Sequence, residues 1–236
     1  RRSSDLINNL LGSQRADFVT LAGAAANNVI DTKDEYDTVT YAGATDKLSI
    51  SLASDMATGT STVTSNGSQI GTDQLIGVEK IVGGGNDDTF YRFSAIDIDG
   101  GTQGSKGDTV NYQGDNALTV NLHSGTATDG TAVTQRLANI ENVVGTDNND
   151  LIIGNASANY LEGGAGDDVI KASSGNANDN DTLDGGVGTD EASYADVSAG
   201  ITVDLVSSAN GTATANVSGG AHVGNDTLYS FELISG

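Results

Sequence analysis

Residues 145–193 repeat a pattern of six turn-forming residues followed by three strand-forming ones. Read in register, the run is Gly145-Thr-Asp-Asn-Asn-Asp150 then Leu-Ile-Ile153, Gly154-Asn-Ala-Ser-Ala-Asn159 then Tyr-Leu-Glu162, and Gly163-Gly-Ala-Gly-Asp-Asp168 then Val-Ile-Lys171. A longer unit closes on Asn176-Ala-Asn-Asp-Asn-Asp181 then Thr-Leu-Asp184, and a last turn spans Gly185-Gly-Val-Gly-Thr-Asp190. Three of these are complete nonapeptides, and 163–168 and 185–190 carry the full Gly-Gly-x-Gly-x-Asp core. A strict short period of this kind restricts the chain to stacked turns and strands, each contacting its neighbours. A three-residue strand points one side chain inward, which predicts Ile152, Leu161, Ile170 and Leu183 as the core positions.

The residue types in the turns specify their chemistry. Glycine lets the turn curl its carbonyls inward, and Asp at the sixth place adds a carboxylate on a short stem. Calcium takes six to eight oxygens at about 2.3–2.6 Å from carboxylates and carbonyls. One turn cannot supply them, but two turns on one edge, about 18 residues apart, can share an ion. A lone coil buries little, so bound metal supplies much of the folding free energy. These turns resemble the calcium-binding nonapeptides of the RTX (repeats-in-toxin) family, and the longer segments between them resemble repeats of large bacterial RTX surface proteins. The resemblance implies an all-β parallel β-roll or β-solenoid with calcium-binding turns. It also implies export through a type I system and folding on reaching millimolar calcium outside. No C-terminal secretion signal of that family is recognisable.

Composition agrees. The 236 residues include 32 Asp plus Glu against 10 Lys plus Arg, a net charge of −22. Of the 32 acids 26 are Asp, which suits turns, whereas Glu suits helix faces. Without cations such a chain repels itself, and it lacks the basic patch that nucleic acid requires. With no cysteine there is no disulfide framework, and no apolar run approaches the ~20 residues of a membrane span. The start at Arg1-Arg2-Ser3, without Met or a signal peptide, reads as a mature or excised fragment.

A longer repeat covers nearly the whole chain. An apolar strand running into a turn recurs at Ile7–Leu11, Val78–Val82, Ile140–Val144 and Phe231–Ser235. It divides the chain into units 1–82 (with degenerate calcium turns), 83–144, and 145–236 (with the complete roll). Each unit passes from turns to an Asp-x-x-x-Tyr exit, at Asp37…Tyr41, Asp108…Tyr112 and Asp190…Tyr194. An alternating strand follows, at 48–52, 118–122 and 201–205, and a Thr/Ser/Gly/Ala-rich stretch leads back to the anchor. The first two units hold about three turns each and the third holds five. The difference is one whole coil, which preserves the edge on which the exit lies. Phe231–Gly236 is not a polar cap, so a further segment or another subunit is expected to cover that end.

The same-edge rule assigns the metal ligands. Calcium is expected between the turns of Asp150 and Asp168, and of Asp168 and Asp190, with Gly163, Gly164, Gly166, Gly185, Gly186 and Gly188 shaping those turns. On the other edge Asn159 faces Asp181, a weaker site because Asn is neutral. In the shorter units Asp17 pairs with Asp37, and Asp88 with Asp108. Gly12–Asp17 has lost its inner glycines and holds Arg15, and Gly100–Asp108 carries a three-residue insertion. The recurring tyrosines read as buried, hydroxyl-bonded covers of the roll rather than as sugar-stacking platforms. Residues 95–106 fail as an EF-hand at both ends, with Ala95 and Lys106. His123 and His222 fall at non-equivalent places, and no catalytic triad can be assembled around them.

These features predict a non-enzymatic calcium-binding structural module of a secreted bacterial protein, within a cell-surface layer, adhesin or extracellular filament. Its expected partners are calcium ions, further copies or adjacent repeat modules, and cell-surface polysaccharide. The competing reading is a calcium-folded accessory module of a secreted enzyme. A polysaccharide-active β-helix is disfavoured because the five Arg are scattered.

Overall fold

A computed structural model describes residues 9–21, 27–54, 59–131, 133–172, 179–197, 200–207, 213–218 and 224–236. His222, the beginning of the first anchor strand and the beginning of the 176–181 turn lie outside the described residues. Among those described, the chain runs through short β-strands with no helix. They are β1 (Asn9–Leu11), β2 (Phe18–Thr20), β3 (Val29–Asp31), β4 (Thr38–Thr40), β5 (Leu48–Ser51), β6 (Thr60–Ser65), β7 (Asp73–Ile76) and β8 (Lys80–Val82). Next come β9 (Thr89–Tyr91), β10 (Asp97–Asp99), β11 (Thr109–Asn111), β12 (Thr119–Asn121), β13 (Thr126–Thr128), β14 (Gln135–Ala138), β15 (Asn142–Val144) and β16 (Leu151–Ile153). The last are β17 (Tyr160–Ala165), β18 (Val169–Lys171), β19 (Thr182–Val187), β20 (Glu191–Ser193), β21 (Thr202–Ser207), β22 (Ala213–Ser218), β23 (Asn225–Tyr229) and β24 (Leu233–Ser235).

Two compact units result, one of Arg1–Val110 with Val133–Ile140 and the other of Asn111–Ala132 with Glu141–Gly236. This is a division by packing, whereas the three repeat units are a division by sequence pattern. In the first, one sheet has the order β1-β3-β7-β6-β5-β9-β11 and the other β2-β4-β8-β10-β14. In the second, the orders are β15-β17-β19-β23-β22-β21 and β13-β12-β16-β18-β20-β24. Successive nonapeptide strands alternate between the two sheets. β16 therefore pairs in parallel with β18, Ile152 opposite Ile170, and β17 with β19, Leu161 opposite Leu183. The fold is an all-β parallel roll, as the spacing predicts.

The core follows from strand periodicity. The middle residue of each apolar triplet faces in, and Ile152, Leu161, Ile170 and Leu183 are all fully buried. The expected three-residue strands hold at β16 and β18, whereas β17 and β19 run on through the turn glycines to six residues, because those glycines pair backbone to backbone between coils. Ile30, Val39, Ile81 and Val110 hold the same place in the first unit. Each buried side chain contributes roughly 1.5–3 kcal/mol, yet a coil supplies only two, so packing alone leaves the coil weak.

The alternating strands behave in a way the spacing did not reveal. β5, β6 and β7 form an antiparallel meander, and so do β21, β22 and β23, while β12 pairs antiparallel with β13. The Thr/Ser/Gly/Ala-rich stretches thus supply strands of their own, and each excursion widens the roll before the chain rejoins the parallel ladder. Val63, Ala127 and Val217 are apolar residues that these added strands bury. Asp97 and Asp99, the acids of the rejected EF-hand segment, lie on the strand β10. Among the described residues no helix is long and apolar enough to cross a membrane.

Candidate metal centres

Every turn aspartate singled out in the sequence is buried or half-buried, and the carboxylates form ladders along the rolls. In the second unit the Leu118 N–H donates to Asp150 Oδ1, the Asp150 N–H to Asp168 Oδ1 and the Asp168 N–H to Asp190 Oδ1, at 2.7, 2.7 and 2.8 Å. A parallel series joins the Asn159 N–H to Asp181 Oδ1 at 2.8 Å and the Asp181 N–H to Asp226 Oδ1 at 3.0 Å. In the first unit the Asp17 N–H donates to Asp37 Oδ1 at 2.5 Å and the Asp88 N–H to Asp108 Oδ1 at 2.7 Å. All five pairs expected from the same-edge rule are therefore brought together, at separations of 18 to 22 residues.

The second carboxylate oxygen divides the turns into two kinds. For Asp17, Asp88 and Asp150, Oδ2 accepts the N–H of the second turn residue, Ser13, Gly84 or Thr146, each at 2.6 Å. For Asp37, Asp168 and Asp190 the second residue, Lys33, Gly164 or Gly186, has a left-handed backbone, with φ of +79°, +109° and +94°. There Oδ2 is buried without a hydrogen-bond partner. A buried carboxylate oxygen with no donor is expensive, and a cation is what relieves it. Burial, with Asp150, Asp190 and Asp167 nearby, pushes the Asp168 carboxyl up to about 7, and burial also raises Asp150, Asp190 and Asp88.

The glycines keep the space around these oxygens open. A Cβ on Gly163 would stand 2.2 Å from Asp168 Oδ2, and one on Gly185 2.6 Å from the Asp190 Cβ. Gly164 and Gly186 stack backbone on backbone, a Cβ on Gly186 falling 2.1 Å from the Gly164 carbonyl oxygen. Gly166 and Gly188 do the same, with 1.8 Å from a Gly188 Cβ to the Gly166 oxygen. The turns thereby bring carbonyls and a buried carboxylate close together. No group of three or more His, Cys, Asp or Glu side chains converges among the described residues. A metal held here would draw on main-chain carbonyls as well as carboxylates, the mixed hard-oxygen set that suits calcium. At Asn159 the amide is committed at both ends, accepting from the Asn155 N–H and donating to the Glu141 carbonyl, each at 2.8 Å.

Four acids that the nonapeptide pattern does not mark also belong to these ladders. Glu79 accepts the Asp37 N–H at 2.7 Å and Glu232 the Asp190 N–H at 2.8 Å. Asp73 and Asp226 receive the hydroxyls of the exit tyrosines, Tyr41 at 3.1 Å and Tyr194 at 2.9 Å. The signal for both is positional. Glu is the second residue of the anchor strands at 79, 141 and 232, and Asp73 and Asp226 each stand five residues before an anchor. Burial raises Asp73 and pushes Asp226 up to about 6. Tyr41, Tyr112 and Tyr194 are buried, so none offers a face for sugar stacking. His123 lines a pocket with Ser193 and Asp196, but Ser193 is bonded to Ser235 and Asp196 to Lys171.

Stacked parallel coils with inward carboxylates and glycine turns define a calcium-binding repeat module. Residues 144–176 match the RTX calcium-binding nonapeptide repeat, in four copies, and the chain carries that family's repeat there. No curated protein matches the chain.

Proposed function

We propose that this chain is a calcium-folded structural module of a secreted bacterial protein, forming part of a surface layer, adhesin or extracellular filament. Its calcium ions are held between the turns of Asp150 and Asp168, Asp168 and Asp190, Asp17 and Asp37, and Asp88 and Asp108, with a weaker site at Asn159 and Asp181. The observation that carries this reading is the set of buried carboxylates whose Oδ2 has no donor, at Asp37, Asp168 and Asp190. The chain's 10 basic residues cannot neutralise 32 acids, so divalent cations are the natural counter-charge.

Assembly with neighbours is supported by the outermost strands. In the first unit Leu11 and Phe18, on β1 and β2, are 69% and 71% exposed. In the second, Leu233 on β24 is 54% exposed. Exposed apolar side chains of this kind favour contact with another module.

The test is calcium titration of the EDTA-treated chain, followed by far-UV circular dichroism and light scattering together. A coil-to-β transition that also yields large particles supports a calcium-assembled surface structure. The same transition with a stable monomer favours the accessory-module reading, and no calcium-dependent change sinks both.

A further inference from the structure

We propose that Glu79 and Glu232, on the anchor strands and outside the nonapeptide motif, are metal ligands that close the carboxylate ladders, completing terminal calcium sites with Asp37 and Asp190. The proposal rests on the calcium reading above and extends it to two residues that the repeat pattern does not mark.

The same construction occurs twice. In the first unit the Asp37 N–H donates to Glu79 Oε2 at 2.7 Å, while the Asp37 carbonyl accepts the N–H groups of Glu79 and Lys80 at 3.2 and 3.0 Å. In the second the Asp190 N–H donates to Glu232 Oε2 at 2.8 Å, and the Asp190 carbonyl accepts from Glu232 and Leu233, again at 3.2 and 3.0 Å. Both pairs are 42 residues apart. The flanking residues differ, Tyr36 and Thr38 against Thr189 and Glu191, so the shared elements are the acids themselves.

Asp37 and Asp190 are each 0% exposed. One oxygen of each accepts the N–H of the preceding rung, from Asp17 or Asp168, and the other, Oδ2, has no hydrogen-bond partner. Accepting a single backbone N–H does not require a charge, since an amide or hydroxyl oxygen accepts it as well. A second carboxylate beside a buried one adds repulsion, and the nearby lysines do not relieve it. Lys33 pairs with Asp31 and Lys80 with Asp99. A dication does relieve it, binding two carboxylates and the surrounding carbonyls.

The experiment is isothermal calcium titration of the EDTA-stripped chain and of three variants, Glu79→Gln, Glu232→Gln and Asp168→Asn, with circular dichroism at saturating calcium. Gln keeps the oxygen that accepts the aspartate N–H and removes only the charge. Loss of one ion in each Gln variant, or binding of one ion weakened about tenfold or more, with an unchanged spectrum, is the expected result. Glu232 is exposed, so Glu232→Gln keeps the test decisive should Glu79→Gln fail to fold. If both Gln variants bind as the parent does while Asp168→Asn loses calcium, the glutamates only cap the ladder. The proposal is then overturned with the calcium reading intact. If the parent chain binds no calcium, both fall.

Discussion

At the scale of single residues, the turn backbone is kept even where its glycines are lost. Lys33 and Glu35, at φ of +79° and +86°, hold the second and fourth places of the turn that ends at Asp37. Gly164 and Gly166 hold those places in the turn ending at Asp168. A left-handed conformation costs a side-chain-bearing residue roughly 1–2 kcal/mol. Glu35→Gly should therefore raise stability by up to about 1 kcal/mol, after the entropy glycine adds to the unfolded chain, read as a higher urea midpoint. Gly164→Ala should have the opposite effect and lose more than about 2 kcal/mol, because its Cβ would meet the Thr146 carbonyl oxygen at 2.2 Å. The Tyr–Asp pairs set a pH dependence. Burial raises the Asp73 carboxyl above its ordinary 3.8 and brings Asp226 to about 6. A raised folded-state value stabilises fully below the unfolded value and is lost as pH rises through the folded one. In calcium-free buffer, stability should fall from about pH 4 to about pH 7, the upper part of that window coming from Asp168, and Asp73→Asn with Asp226→Asn should reduce the part below about pH 6 in thermal melts. An unchanged slope below pH 6 after both substitutions would assign it to the turn aspartates alone.

At the scale of the element, the coil is the unit of addition. Two nine-residue half-coils carry the chain from one sheet to the other and back, which is why Leu151 lies opposite Val169, 18 positions on. Deleting 154–171 removes one whole coil and should leave a folded roll that binds fewer calcium ions. Deleting 154–162 removes half a coil, reverses which sheet each later strand joins and turns the Tyr194 exit to the wrong edge. That variant should show no calcium-induced β signal for the 145–236 segment. Within a coil, Ile170→Ala should cost about 2–5 kcal/mol, since Ile170 is fully buried between Ile152 and the chain's next coil.

At the scale of the whole molecule, the net charge bears on folding. A net charge of −22 opposes compaction, and on the function proposed above calcium would both screen it and fill sites between stacked coils. Magnesium holds to octahedral geometry and sheds water reluctantly, so it should not replace calcium at equal concentration in restoring the circular dichroism signal. Full recovery in magnesium would reduce the ladders to sites of non-specific charge screening.

The roll, its register, its four inward side chains at 152, 161, 170 and 183 and the five aspartate or asparagine pairings were legible in the sequence alone. Each depends on contacts between residues one coil apart, and a strict period makes that spacing visible along the chain. The antiparallel meanders were not, because Thr- and Ser-rich alternation specifies a strand without specifying its partner's direction. Nor was the division of turns into those whose Asp Oδ2 is satisfied and those whose Oδ2 is bare. It depends on whether the second residue adopts a left-handed backbone, which Lys33 does as well as Gly164. Glu79, Glu232, Asp73 and Asp226 accept backbone N–H groups across 42 to 45 residues of chain, and the last two also take tyrosine hydroxyls across 32. Local periodicity thus determined the coil, whereas contacts closed over the excursions, where no period links the partners, were decided only by the tertiary fold.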